Sequence, residues 1–231
     1  MAVIIDTVYQ KVLALANKEQ RGYITPQEFN LFADLAQKEI FEQYFYDLSQ
    51  LARVHGQSEE YTDIASDINE KVSLFEERGT VDVTGAISLT PGTSLYKIGT
   101  VTIGNRVVEE VQQDDVARFT QSPLTTPTLN RPVYYQERDK IIISPSVASA
   151  DFTYLRVPGG MPASKPTWGY VVIKKKAMYN PGSTVDFELH PSEEGELVYK
   201  ILKLAGVSMR RDDIMRAGQG LEISKVQQEK Q

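Results

Sequence analysis

No cysteine occurs in the 231 residues, which excludes disulfides, thiolate zinc sites and cysteine nucleophiles and fits a reducing compartment. Long apolar runs are missing as well. No window approaches the roughly 18 consecutive apolar residues of a membrane-spanning helix. The opening "MAVIIDTVYQKVLALANKEQ" lacks the basic start and unbroken apolar stretch of a signal peptide. A soluble protein, cytosolic when made, is therefore expected. Histidine is scarce: His55 and His190 stand beside Gly56 and Pro191, positions typical of element ends. Neither G-x-S-x-G, H-E-x-x-H nor a phosphate-cradling loop appears. "GTVTIG" and "VPGGMP" contain glycines, but neither joins a strand to a clear helix.

Basic clusters are few, and charge is unevenly spread. Residues 1–78 hold 14 acidic and 7 basic side chains, whereas residues 200–231 hold 4 and 7. An acidic body argues against a broad nucleic-acid grip, which needs clustered Lys and Arg to displace counterions. A net-basic tail against that body points to contact between subunits. The single basic run, "VVIKKKAMY", has Trp168, Tyr170 and Tyr179 nearby and the makings of a stacking surface for a strand of nucleic acid. Lysines guarding an edge strand against unwanted pairing account for it better.

What is present is a change of pattern near Gly79. Ile5, Val8, Val12 and Leu15 recur at helical intervals behind Asp6, a cap residue. A second helix is expected from Pro26 to Arg53, with Phe29, Phe32, Ala36, Ile40, Tyr44 and Leu48 on one stripe. Leu31, Leu35, Phe41 and Phe45 widen it, which implies burial on more than one side. A third helix carries Tyr61, Ile64, Ile68, Val72 and Phe75 and is expected to stop at Gly79. Beyond it, alternation predicts hairpins around Thr84-Gly85, around Gly104-Asn105 and around Glu137-Arg138-Asp139. A short helix capped by Asp114, a proline-rich loop "PLTTPTLNRP" and a strand "DFTYLRVP" complete this stretch, and "GYVVIKKKAMYN" is a further pairing segment. Glu193–Gly206 is helical, with Leu197, Ile201, Leu204 and Ala205 on one face. The polar remainder reads as an extended or disordered tail. The expected fold is α+β: a helical domain over 1–78, a β-rich domain over 79–190, and a C-terminal helix with an extended tail over 191–231 packing on the helical domain.

"NKEQRGYITPQEF", residues 17–29, imitates a calcium-binding EF-hand loop, with Gly22 at loop position 6, Ile24 at position 8 and Glu28 at position 12. The oxygen ligands required at positions 1, 3 and 5 fall on Asn17, Glu19 and Arg21. A guanidinium offers no lone pair and repels the ion. The same letters serve helix punctuation: Thr25-Pro26-Gln27-Glu28 is a capping box with proline at the first helical position. Ile24 and Phe29 are spaced as a hydrophobic staple, and Gly22 ends the preceding helix. A degenerate calcium-binding domain is the alternative reading from a different class. The carboxylate pairs Glu59-Glu60, Glu76-Glu77, Asp114-Asp115 and Glu193-Glu194 could serve acid–base chemistry only across a cleft. At helix starts they complement the helix dipole instead. No catalytic, metal or cofactor-binding residue is assigned, and no enzyme is expected.

Three stretches resemble one family. "VYQKVLALANKEQRGYITPQEFNLFADLAQKEIFEQYFYDL" is similar to the helical opening of virion proteins from tailed bacteriophages. "SPLTTPTLNRPVYYQERDKIIISP", "FTYLRVP" and "PTWGY" resemble their β region, and "STVDFELHPSEEGELVYKILKLAGV" their closing strand and helix. The order matches head-to-tail adaptor (neck ring, or connector) proteins, including those of crAss-like phages, over residues 5–207. The resemblance implies a non-enzymatic structural part of the virion neck or tail, assembled in the host bacterial cytoplasm. It implies a dodecameric ring under the portal protein, bound to downstream tail or ring proteins, with genomic DNA passing through its lumen and no membrane involved. A C-terminal segment reaching out to dock on the portal is part of the same expectation, and another tail or neck component is its nearest variant.

Overall fold

The computed structural model describes residues 2–17, 24–53, 59–89, 94–138, 140–160, 162–208, 216 and 219–224. It mixes α-helices with three β-sheets. Two compact units emerge: residues 75–157 form one, and the segments on either side, 1–74 and 158–231, form the other.

The two-segment unit contains α1 (Ile5–Asn17), α2 (Pro26–Arg53), α3 (Glu59–Ser73) and α5 (Glu194–Ser208). Helix α5 packs on α1 and α2, and α3 packs on α2. On α1 the buried stripe is Ile5, Val8, Tyr9, Val12 and Ala16, while Leu15 faces solvent. The 3.6-residue repeat drifts, so Ala16 rather than Leu15 completes the face. Asp6 does not cap this helix: its Oδ1 accepts from Trp168 Nε1 at 2.8 Å. The free N–H of Ile5 is met from far along the chain, by Asp186 Oδ1 at 3.0 Å. Helix α2 buries Phe29, Ala33, Ala36, Gln37, Ile40, Phe41 and Tyr44. The expected widening holds on the Phe41 side and fails on the other, where Leu31 and Leu35 are exposed. On α3, Val72 is buried and Ile64 and Ile68 are half-buried, and Phe75 is buried beyond the helix end. The side chain of Tyr61 lies outside the described residues.

Gly79 does not end α3. The helix stops at Ser73, and Gly79 lies within strand β1 (Glu76–Asp82), opposite Phe152. A Cβ there would meet Phe152 Cζ at 2.6 Å, so the absent side chain makes room for the ring. The β-rich unit is built on a five-stranded antiparallel sheet, ordered β2 (Ile87–Ser88), β1, β8 (Ser149–Arg156), β3 (Leu95–Ile103), β4 (Arg106–Val107). The strand foreseen in "DFTYLRVP" is thus the centre of the sheet, and its alternation buries Ala150, Phe152 and Tyr154. A second sheet joins β5 (Glu109–Glu110), β6 (Val133–Glu137) and β7 (Lys140–Ser144), with β5 parallel to β6. Ile141 N donates to Gly85 O at 2.9 Å, and side chains of both sheets share one core around Val81, Val101, Tyr134, Ile141 and Phe152.

The hairpin turns fall where expected, with Gly85 at φ 76° and Gly104 at φ 59°. Helix α4 (Gln113–Gln121) also forms, but its cap position is Gln112 without a side-chain bond, and Asp114 lies inside the first turn. The chain enters and leaves this unit side by side: Glu76 pairs with Leu155, and Arg156 N donates to Phe75 O at 2.9 Å.

Residues 158–190, expected in the β-rich domain, group with the helices. Their contacts explain it. Val3 bridges Phe187, Glu188 N donates to Gln37 Oε1 at 2.9 Å, and Trp168 packs on Tyr9 at 4.2 Å between ring centroids. Strands β9 (Tyr170–Ile173) and β10 (Lys176–Tyr179) form a separate hairpin. Near the C-terminus, residues 219–224 are helical where an extended tail was expected.

Candidate functional site

Of the calcium-like stretch, Asn17 ends α1 and residues 24–29 lead into α2. Residues 18–23, with Glu19, Arg21 and Gly22, lie outside the described residues. At Thr25 the capping box is complete: Glu28 N donates to Thr25 Oγ1 at 3.3 Å, and Thr25 N donates to Glu28 Oε2 at 3.0 Å. The Thr25 hydroxyl also donates to Glu28 Oε2 at 2.7 Å. Hydrogen bonds from this hydroxyl and from the backbone hold the Glu28 carboxyl below its ordinary range. Ile24 and Phe29 are both buried, as a hydrophobic staple requires. Glu28, the one orthodox calcium ligand of the loop, is thus occupied in punctuation. Among the described residues, no group of three or more histidine, aspartate or glutamate side chains is placed to hold a metal ion.

The carboxylate pairs scatter, and most have local employment. Glu77 accepts from Tyr154 Oη at 2.8 Å and pairs with Arg156 Nε at 3.0 Å. Asp115 pairs with Arg118 one helical turn on. Buried Glu193 pairs with Lys71 at 2.6 Å, and its neighbour Glu194 pairs with Lys11 at 2.8 Å. The side chains of Glu59 and Glu60 lie outside the described residues, as does His55. His190 caps the short turn before α5, its Nδ1 accepting from Ser192 N at 3.3 Å. Burial and the carboxylate of Glu110 push the Tyr134 phenol up to about 12. A phenol so reluctant to ionise suits a core position.

Charge converges in one place that sequence reading missed. Lys200 is buried on α5, with Glu222 at 2.9 Å, Glu196 at 3.5 Å and Glu39 at 4.0 Å, and it donates to Gln43 Oε1 at 3.3 Å. Lys203 adds a second bond to Glu222 at 3.0 Å. Burial pushes the Lys200 ammonium down, and the three surrounding carboxylates together raise it above the usual lysine value. Burial likewise raises Glu222, and the two lysines outweigh it, leaving its carboxyl below the usual range. The i,i+4 spacing of Glu196 and Lys200 was readable; Glu39 and Glu222, far off in sequence, were not.

The basic run forms the tip of the β9–β10 hairpin. Lys174 and Lys175 make a two-residue turn at φ 51° and 65°, a left-handed pair that usually falls to Asn and Gly. The strands pair as expected of this segment, but Lys174 and Lys175 lie in the turn rather than along an edge strand. At its base, Trp168 lies 5.9 Å from Tyr170 and 5.7 Å from Tyr179 between ring centroids. Trp168 is buried in this packing, Tyr170 is half-buried and Tyr179 stays exposed. No protein-family model and no curated protein matches the chain.

Proposed function

We propose that the chain is a structural virion protein of a tailed phage, a head-to-tail adaptor that forms a ring under the portal and lets DNA pass through its lumen. The observation that carries the reading is the ordered resemblance over residues 5–207. Two structural features support it. Helices from both ends of the sequence pack together, and the β-rich stretch between them leaves and returns side by side. This is what a β-rich insertion in a helical wall element requires. Each described carboxylate pair has at least one member held in an ion pair, which favours a building part over a catalyst.

The acidic helical segment suits a channel along which DNA slides without sticking. The tie from Glu222 to Lys200 and Lys203 holds residues 219–224 to α5, so an arm reaching the portal starts beyond Ser224 or releases this tie first. Electron microscopy of the purified protein with the cognate portal tests the reading. Rings on the capsid-distal face of the portal are expected; a portal left bare at saturating protein would refute it.

A further inference from the structure

The β9–β10 hairpin exposes apolar side chains on both faces: Val172, on the face of Tyr170 and Tyr179, is 63% exposed. Cross-strand partners share a face, so Tyr170 and Tyr179 lie together beside Trp168, while Val171 pairs with Met178 and Ile173 with Lys176 on the other side. Val171, Ile173 and Met178 are 48%, 50% and 54% exposed. A two-stranded sheet is marginal by itself in water and gains from a cover. At the tip, Lys174, Lys175 and Lys176 form no ion pair among the described residues, and two of them hold positive φ without glycine. Strain and uncovered apolar surface at one tip are features of a contact surface.

The complement to this surface lies on α2. Glu28, Leu31, Leu35, Glu39, Glu42 and Tyr46 follow one another at intervals of three and four, an outward helix face from whose half-buried member, Glu39, the carboxylate also reaches Lys200 at 4.0 Å. Leu31 is 71% and Leu35 46% exposed. Leu31 and Leu35 are separated by about 6 Å of helix rise, and Glu39 and Glu42 follow within about 11 Å more. Along the hairpin, Val171 and Ile173 are about 7 Å apart, with the lysines just beyond. Apolar residues therefore meet apolar residues in the same register that sets ammonium groups against the carboxylate of Glu42.

We propose that the hairpin of one copy docks on this face of α2 in the next copy, with Val171, Ile173 and Met178 on Leu31 and Leu35, and the lysine tip on Glu42. The inference rests on the ring reading above and names the contact that would build the ring. Two different patches meeting head to tail generate a closed ring when the rotation closes.

The absence of cysteine makes the test direct. A full-length Met178→Cys chain is mixed with a full-length Leu35→Cys chain under mild oxidation, and a Met178→Cys with Val83→Cys mixture serves as control. The first mixture should form the mixed disulfide at least about tenfold faster than the control, with neither single variant forming a comparable homodimer. Lys175→Glu should suppress the cross-link and Glu42→Lys should restore it, a rescue that a merely structural lysine would not show. Equal rates in both mixtures, or a faster Met178→Cys homodimer, would overturn the proposal. So would retention of a single-stranded oligonucleotide that Lys175→Glu abolishes, without cross-linking. Portal-bound rings without the cross-link sink this contact and leave the adaptor reading standing; the cross-link with a bare portal does the reverse.

Discussion

The two compact units are stabilised in different ways. The β-rich unit is closed by ordinary packing: its core of Val81, Val101, Val108, Tyr134, Ile141, Ala150, Phe152 and Tyr154 is apolar apart from two phenols. Both units expose apolar side chains, Leu31, Leu35, Val172 and Met178 in the helical one and Val83, Val107, Leu124 and Leu129 in the β-rich one, but the buried charges among the described residues, Glu193, Glu196 and Lys200, all lie in the helical unit. One core closes by apolar packing, and the other adds an internal charge lock whose contribution depends on pH.

The comparison breaks first at Phe152, which lies fully buried across from Gly79. Phe152→Ala should cost about 3–5 kcal/mol, the range for an emptied aromatic core site. Chemical denaturation followed by hydrogen exchange should show the loss in residues 75–157 and leave protection of α2 and α5 unchanged. Equal loss in both units would mean that they unfold as one.

Next in size is Lys200→Met, which keeps the apolar stem and removes the ammonium. Three carboxylates then face one another across a buried position, at a cost of about 3 kcal/mol near neutral pH. Protonation relieves that repulsion, so the deficit should shrink as the pH falls toward the carboxylate range. A deficit that stays constant with pH would mean that lost packing, not charge, accounts for it.

Glu222→Gln tests the same lock from the other side, and about 1.5–3 kcal/mol is expected from bonds to charged groups. The native carboxyl titrates below its ordinary value of 4.5, so its contribution is fully present above that value. It is lost as the pH falls through the lowered native pKa. Lys200, raised above its ordinary 10.5, contributes below that value and loses its share as the pH rises through its native one. Acid titration of stability should therefore be shallower in Glu222→Gln than in the parent. Parallel curves would remove Glu222 from the lock.

How much of this was legible follows the range of the interactions. Helices α1, α2, α3 and α5 and the turns at Gly85 and Gly104 are set by periodicity and by local steric freedom, and sequence reading places them. Gly79 was misread because helix-ending and strand-thinning glycines look alike; only Phe152, far along the chain, distinguishes them. Asp6 was misread for the same reason, since Trp168 claims it and Asp186 takes over the cap. Residues 158–190 alternate like strands, yet Val3, Tyr9 and Gln37 draw them to the helices. The exposure of Leu31 and Leu35 could not be seen in a pattern that marks residues as apolar but not as covered.

The smallest expected effect belongs to the punctuation at Thr25, where the local signal was strongest. Thr25→Ala removes the hydroxyl that accepts from Glu28 N and donates to Glu28 Oε2, and should cost about 1 kcal/mol. Glu28 is exposed, so solvent limits the electrostatic share. Its carboxyl is held below its ordinary 4.5, so the capping contribution is present above that value and fades as the pH falls through the native one. Thr25→Ala should therefore lose stability at neutral pH, with the carboxylate's share of the deficit fading in acid and the share of the bond from Glu28 N remaining, in thermal melts run across that range. Addition of calcium should leave both melting curves where they were, because the carboxylate is already engaged in the box. A calcium-dependent rise in the parent that Glu28→Gln abolishes would return the stretch to a metal loop. Without it, the corner stays what its hydrogen bonds make it, a start signal for the helix that carries the proposed contact.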